Sequence, residues 1–595
     1  MTVKQRWLLT PPHPDAEALA RDARIPQPLA ELLLARGVST ATEASVFLHP
    51  DSDQLHDPRL MLGMAAAVER IERAIALSEP ILLYGDYDVD GTTAVVLLKT
   101  AIEMLGGLVR FHVPHRLREG YGLQSNVLEE AYAEGIRLVV TVDTGMRAIA
   151  EAETARRLGL DLIITDHHLP SAADPLPRCT AILNPNQPGC PYPEKSLCGA
   201  AIAFKLAQAL LEHGNSAFSD SADSARFRKD PIRIREKILP SFLKMAAIAT
   251  IADAVPLRGE NRVIAALGLK ELRQPVAAGL RALFQAAALD PASKPLTGFD
   301  VAFRIAPRIN AAGRMDIASE VIELFTTRDA NRARELANKL EALNRQRRDT
   351  EASALAEIER RLTEDAELKD APLLVVDGEG WHRGVIGILA SRVVERRAKP
   401  AIVVSVEDGV AHGSGRSVDG FPLLEALESC ASLFTRFGGH AFAVGFALPA
   451  ERLADLKRDL VAYAREKLAD REPEHILRIH AELPLERITP VLAGWLRRLE
   501  PLGHGNLEPV FAARRVRLLS APRIMKERHV RLELASDSAH SAAAMRCVGW
   551  DWAARCTARG LKQGSVVDLA YKIRENDHPD YGGIEVEIAG IELCS

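Results

Sequence analysis

From about position 80 to about position 185 the chain alternates short β-branched apolar runs with stretches of helical composition, the pattern of consecutive βαβ units in a parallel sheet. The runs are 81-ILLYG, 108-LVRFHV, 138-LVVTV, 161-DLIIT and 180-TAILN. Between the first two, residues 92–105 (TTAVVLLKTAIEML) predict a helix that stops at Gly106 and Gly107. Three strands lead straight into acids or histidines: Asp86, Asp88 and Asp90 after the first, Asp143 after the third, and Asp166, His167 and His168 after the fourth. Open α/β sheets bind ligands at the carboxyl edge of their strands, so these side chains stand where a site is expected.

Farther on, a polar, small-residue stretch (213–230) reads as a surface insertion between helices. Residues 314–371 contain neither Gly nor Pro, and within them DANRARELANKLEALNRQRRDTEASALAEIERRL spaces apolar residues at three and four among many charges, predicting a long, largely exposed helix. A second α/β unit follows, with strands at 373-LLVV and 401-AIVVSV, a helix around 385-VIGILASRVVERR and a glycine-punctuated stretch from Gly409 to Gly445. Beyond Pro501 five short strands are predicted (510–519, 528–535, 541–549, 565–573 and 583–592), which suggests a small β-barrel of OB type. The fold class expected is therefore α/β with a C-terminal OB-like barrel. Its divisions are a helical extension (1–70), a parallel-sheet catalytic domain (71–270), a helical connector with the long helix (271–370), a second α/β domain (371–475) and the barrel domain (476–595).

Composition narrows the function classes. With 595 residues, 47% hydrophobic and 26% charged, this is a multidomain globular chain, and 75 Lys and Arg against 80 Asp and Glu exclude a histone-like polycation while leaving room for a locally basic groove. Cys179, Cys190, Cys198, Cys430, Cys547, Cys556 and Cys594 form no CxxC pair, which fits a reducing compartment and argues against a zinc site. No run approaches the ~20 apolar residues that span a bilayer, and the N-terminus lacks the apolar core of a secretory signal; a cytoplasmic location is expected.

YGDYDVDG sets three carboxylates at alternate positions after a strand, converging on one small volume if the segment is extended. Taken singly, an aspartate at a strand end is most often a turn or cap residue. Gathered with Asp143 and Asp253, the acids would carry a formal charge most of which two divalent ions would offset. The position at which an EF-hand would need its closing Glu is Leu97, so that reading fails. Carboxylates mixed with the imidazoles of His167 and His168 suit Mn²⁺, or Mg²⁺ held more loosely. Two such ions about 3.5–4 Å apart are the apparatus of displacement at phosphorus, which points to phosphodiester or phosphoanhydride hydrolysis.

YGDYDVDG, VDTG (142–145), TDHH (165–168) and IADAVPL (251–257), in this order, resemble the four signature motifs of the DHH phosphoesterase superfamily. Segments along nearly the whole chain, among them VPHRLREGYGL (113–123), LNPNQPGCPYP (183–193), LCGAAIAFKL (197–206), APRINAAGRM (306–315), GSGRSVDGFPLLEAL (413–427), RFGGHAFAVGF (436–446) and EPLGHGNLEPVF (500–511), are similar to the RecJ family within it, the single-strand-specific 5′→3′ exonucleases. The resemblance implies a DHH catalytic domain, a DHH-associated domain and a metal-dependent exonuclease acting on single-stranded DNA in repair and recombination. It implies two divalent ions, Mn²⁺ or Mg²⁺: one held by Asp90, Asp143, His167 and Asp253, and a second near Asp86 and Asp88 that shares Asp143. His168 would face the scissile phosphate. Partners implied are a single-strand-binding protein and a RecQ-type helicase, met by a monomer.

Ser414 and Arg416 stand among glycines in GSGRS, whose exposed N–H groups can admit a phosphate. The resemblance gives this segment, with Arg116 and Tyr121, the 5′ end of the strand. Arg308, Arg314 and His440 are further substrate-binding candidates. In the barrel Arg514, Arg515, Arg517, Arg523, Lys526, Arg528 and Arg531 form a basic stretch fit to track a phosphate backbone, with Trp550 and Trp552 reading as core. From Glu500 onward there is no candidate metal ligand, so the barrel should be separable from the chemistry. The nearest rival is a DHH phosphodiesterase for short oligoribonucleotides or cyclic dinucleotides, which would lack the barrel. A non-catalytic scaffold would have lost its acids.

Overall fold

The computed structural model describes residues 4–594 except 117–118, 121, 172–173, 214–230, 276, 316–317, 470–472, 537–543 and 577–581. Most of the expected insertion at 213–230 lies outside the described residues. The chain divides into two compact units: one of residues 7–113, 122–306 and 476–595, the other of residues 1–6, 114–121 and 307–475.

The first unit is built on a parallel sheet in the spatial order Leu108–His112, Pro80–Gly85, Leu138–Val142, Asp161–Thr165 and Ala181–Leu183. Parallel strands are covered on both faces, and all five residues of Leu138–Val142 are buried. Gly85 pairs with Val142, Val142 with Thr165 and Thr165 with Leu183. Four strands thus end in line, so the next residues, Asp86, Asp143, Asp166 and Asn184, emerge side by side on the carboxyl edge. Helices Val89–Met104, Gly199–His213 and Leu239–Ala252 are apolar almost all round and accordingly buried.

The same unit contains the barrel. Phe511–Leu518 pairs with His529–Ser536, this with Met545–Gly549, then Gly583–Leu593 in parallel, then Val566–Asn576, which returns to the first strand. With a helix (Ala553–Ala558) between the third and fourth strands, this is an OB fold. Part of the third predicted strand, 541–543, lies outside the described residues. Apolar residues of the N-terminal helices, Leu29, Leu32, Leu33 and Phe47, share one core with barrel residues Val516, Leu532 and Val567.

In the second unit the long helix runs Ala330–Glu364 with Asp329 as its cap, its side chain accepting from Asn331 and Arg332 N–H. It is amphipathic, burying Leu336, Leu340, Leu355 and Ile358. The rest of the Gly- and Pro-free stretch breaks into shorter helices such as Ser319–Thr326. A five-stranded sheet follows, ordered Arg436–His440, Ala443–Pro449, Val410–Arg416, Ala401–Glu407 and Leu374–Glu379.

Candidate metal centre

The strand-end acids gather, but their local geometry differs from the extended segment expected. The helix begins at Val89: Asp88 caps it, accepting from Gly91 N–H at 3.1 Å, and Asp90 lies in its first turn. A strand-to-helix turn, and not strand alternation, therefore orients the three acids, and it distributes them. One ligand atom from each of Asp86, Asp88 and Asp143 lies within 4.8 Å of the others; so do Asp90, His167 and Asp253, and so do Asp143, His167 and His168. Asp143 belongs to two of these groups. It holds a left-handed backbone, φ 61°, a costly conformation for a residue with a side chain, which persists where surroundings over-determine it.

The electrostatics call for cations. Burial, then the charges of Asp90, Asp88 and Asp86, pushes the Asp143 carboxyl far above its ordinary range. Burial and Asp90 likewise raise Asp88, and burial with Asp90 and Asp88 raises Asp253 to about 8. Burial holds the His167 imidazole below its usual value, leaving a neutral ring whose Nε2 lies 3.2 Å from Asp143 Oδ1, 3.8 Å from Asp90 Oδ2 and 3.9 Å from Asp253 Oδ2. Asp143 Oδ1 is buried and accepts no hydrogen bond among the described residues. Oxygen and nitrogen lone pairs converging in a buried volume fit hard or borderline divalent ions.

Three family models match the chain: the DHH family N-terminal domain at residues 80–233, the DHHA1 domain at 370–466 and the RecJ OB domain at 479–589. The single-stranded-DNA-specific exonuclease RecJ of Bacillus subtilis is 35% identical over 96% of this chain and 69% of its own length. That of Escherichia coli is 34% identical over 86% of this chain and 87% of its own. The chain belongs to the RecJ family. The crystal structure of RecJ from Thermus thermophilus in complex with Mn²⁺ superposes with a TM-score of 0.81 at 28% identity, covering 100% of this chain and 80% of that one. RecJ from the same organism has also been solved with Mg²⁺, with a TM-score of 0.75.

Several residues that contact these candidate ligands were not singled out from the sequence, and Asp166 was noted there only as a strand-end acid. Asp90 accepts hydrogen bonds from Gly199 N at 2.6 Å and Ala200 N at 2.7 Å, so the amino end of helix Gly199–His213 fixes the position of its carboxyl group. A Cβ on Gly199 would lie 2.6 Å from Asp143 Cβ; only glycine lets the helix approach so closely. Asn184 donates to His168 O and Asn186 to His167 O, fixing the backbone of both histidines. Asp166 is buried and accepts from Met146, His167 and His168 N–H and from His168 Nδ1 at 2.7 Å. These contacts overcome the cost of burial and hold Asp166 ionised, and its charge in turn lifts the partly buried His168 imidazole above its usual value. LNPNQP and LCGAA were legible as motifs, but their roles depend on the partner they meet.

The substrate-binding candidates lie in the second unit. GSGR is not a loop with free N–H groups but the Val410–Arg416 strand, paired on both sides. Its glycines serve packing: a Cβ on Gly413 would fall 2.0 Å from the Phe446 ring. Arg416 donates to Ser414 Oγ at 3.2 Å and to Gly415 O at 2.8 Å; burial, and then Arg116, lower its pKa, placing two guanidinium charges near one another. Tyr121 lies outside the described residues. Arg308 is ion-paired with Glu341 at 2.6 Å, and Arg314 donates to Gly384 O at 2.8 Å. His440 ends the Arg436–His440 edge strand, in which all five residues are exposed.

On the barrel, Arg514 pairs with Glu482 and Asp568, and Arg528 with Asp551. Arg523 and Arg531 stand directly opposite one another in adjacent strands, and among the described residues no carboxylate pairs with them or with Lys526. Trp552 is buried as expected. Trp550 instead is 54% exposed, its ring set edge-on against His529 at 5.0 Å.

Proposed function

We propose that the chain is a metal-dependent exonuclease that hydrolyses phosphodiester bonds of single-stranded DNA from the 5′ end, acting in repair and recombination. The observation that carries this reading is the set of three interlocked ligand groups, in which Asp143 serves two, on a chain of the RecJ family. The ligands assigned are Asp86, Asp88 and Asp143 for one ion and Asp90, Asp143, His167 and Asp253 for the other. Divalent ions bound there, Mn²⁺ or Mg²⁺, lower the pKa of an attacking water and offset charge on the leaving oxygen. The chain's own residues do the rest. His168, its Nδ1 turned to Asp166, is assigned to face the scissile phosphate through Nε2; Asp90 is held by hydrogen bonds from the helix that begins at Gly199, and Asp143 is packed against the same glycine. Ser414, Arg416 and Arg116 are assigned the terminal phosphate, with Arg308, Arg314, Tyr121 and His440 as further substrate contacts, and the barrel is assigned the trailing strand.

The finer setting is proposed on the same ground: a cytoplasmic monomer that meets a single-strand-binding protein and a RecQ-type helicase. No helix among the described residues is long and apolar enough to cross a membrane.

Digestion of end-labelled DNA of both polarities, single- and double-stranded, with Mn²⁺, Mg²⁺ or chelator, tests the reading. Release of mononucleotides from the 5′ end of single strands only, abolished by chelator and by Asp143→Ala, is expected. Release from 3′ ends, or wild-type turnover by Asp143→Ala, overturns it.

A further inference from the structure

Asp253 ends helix Leu239–Ala252, and the next residue, Ala254, takes a left-handed backbone, φ 55°, that a side-chain-bearing residue adopts only when neighbours enforce it. The residues that follow, 256–258, are held by the entry to the barrel. Leu257 N–H donates to His504 O at 2.8 Å, and Arg258 Nε to Gly505 O at 2.9 Å. Gly505, φ 71°, lies so close that a Cβ there would sit 3.0 Å from Pro256 Cβ. The turn is itself closed by paired hydrogen bonds between Gly503 and Asn506. Asn506 is fully buried: its Nδ2 donates to Leu499 O and Pro501 O, and its Oδ1 accepts from Arg36.

We propose that the Gly503–Asn506 turn is a positioning element of the metal centre. By clasping residues 256–258 it sets the direction in which the chain leaves Asp253, and so the aim of that carboxylate toward Asp90 and His167. The barrel domain is then not separable from the chemistry, contrary to the expectation that the chain beyond Glu500 is dispensable for it. This inference rests on the assignment of Asp253 as a ligand under the proposed function.

The test is Mn²⁺ binding by calorimetry on the full chain without DNA, for wild type, Gly505→Ala and Arg258→Gln. Gly505→Ala forces a Cβ against Pro256 and Arg258→Gln removes one exposed hydrogen bond, so the second variant retains the fold even if the first does not. Both should weaken Mn²⁺ binding at one of the two sites by about tenfold, with cleavage restored at raised Mn²⁺. A structural role alone would lower the unfolding temperature and leave the Mn²⁺ affinity of the folded protein in place. Isotherms of Arg258→Gln and of any folded Gly505→Ala that superimpose on wild type overturn the proposal. A wild type that binds no Mn²⁺ would overturn the metal assignment itself, and with it this inference.

Discussion

His168 Nδ1 lies 2.7 Å from Asp166 Oδ1, a charge-assisted pair at the mouth of an otherwise acidic centre. Because Asp166 also takes three backbone N–H groups, it cannot turn away; the imidazole is fixed in orientation and its pKa is held above the usual value. Asp166→Asn keeps the shape and removes the charge. It should lower kcat by about ten- to a hundredfold, the usual effect of removing the group that orients an active-site histidine. The His168 pKa should fall with it, moving the alkaline limb of the kcat profile to lower pH. An unmoved limb would leave His168 without an acid role.

Metal-free protein should lose stability as pH rises from the acid range. Asp253 is raised to about 8 and Asp143 and Asp88 are also raised, so the folded state binds protons that the unfolded chain, with ordinary aspartates, releases near pH ~4. That contribution is complete at low pH and is lost as pH climbs through the folded values. Between about pH 4 and about pH 8 the melting temperature of chelated protein should fall on account of Asp253, and saturating Mn²⁺ should remove that trend. Mn²⁺ binding near pH 7 should release protons, measurable by calorimetry in buffers of different ionisation enthalpy. Binding without proton release would contradict the raised carboxyls.

The barrel should contribute affinity through a small exposed group. Trp550 offers a ring face beside His529, and the facing pair Arg523 and Arg531 places like charges where a phosphate relieves their repulsion. Trp550→Ala should weaken binding to long single strands by about ten- to a hundredfold, corresponding to roughly 1–3 kcal/mol of stacking. Arg531→Ala should reduce the salt slope by about one and leave stability unharmed. Fluorescence anisotropy across a salt series, under chelation, measures both. Affinities equal to wild type would assign the strand to another surface.

Polarity requires recognition of a terminus, since two ions treat either end alike. A terminal phosphate carries about one more charge than an internal diester, and a charge-assisted contact contributes roughly 1.5–3 kcal/mol. Arg416→Ala should lose about ten- to a hundredfold in kcat/KM on 5′-phosphorylated strands and less on 5′-hydroxyl strands. Equal loss on both substrates would assign Arg416 to the internal backbone or to the fold.

Much of this protein was determined by sequence alone. Strand positions, the acids that end them, the long helix from Ala330 and the five barrel strands follow from local periodicity, which operates within a few residues. The tertiary structure decided whatever depends on distant partners. Asp90 meets Gly199 across 109 positions and Arg258 meets Gly505 across 247, contacts that no local pattern encodes. The same cause made GSGR a strand: glycines that suggest a loop in isolation are required where Phe446 crosses them. It also left Trp550 in solvent two residues before a buried Trp552, because the chain turns at Asp551 with φ 61° and carries the two rings to opposite environments. Composition and periodicity choose elements, whereas register and close approach choose which side chains share a site.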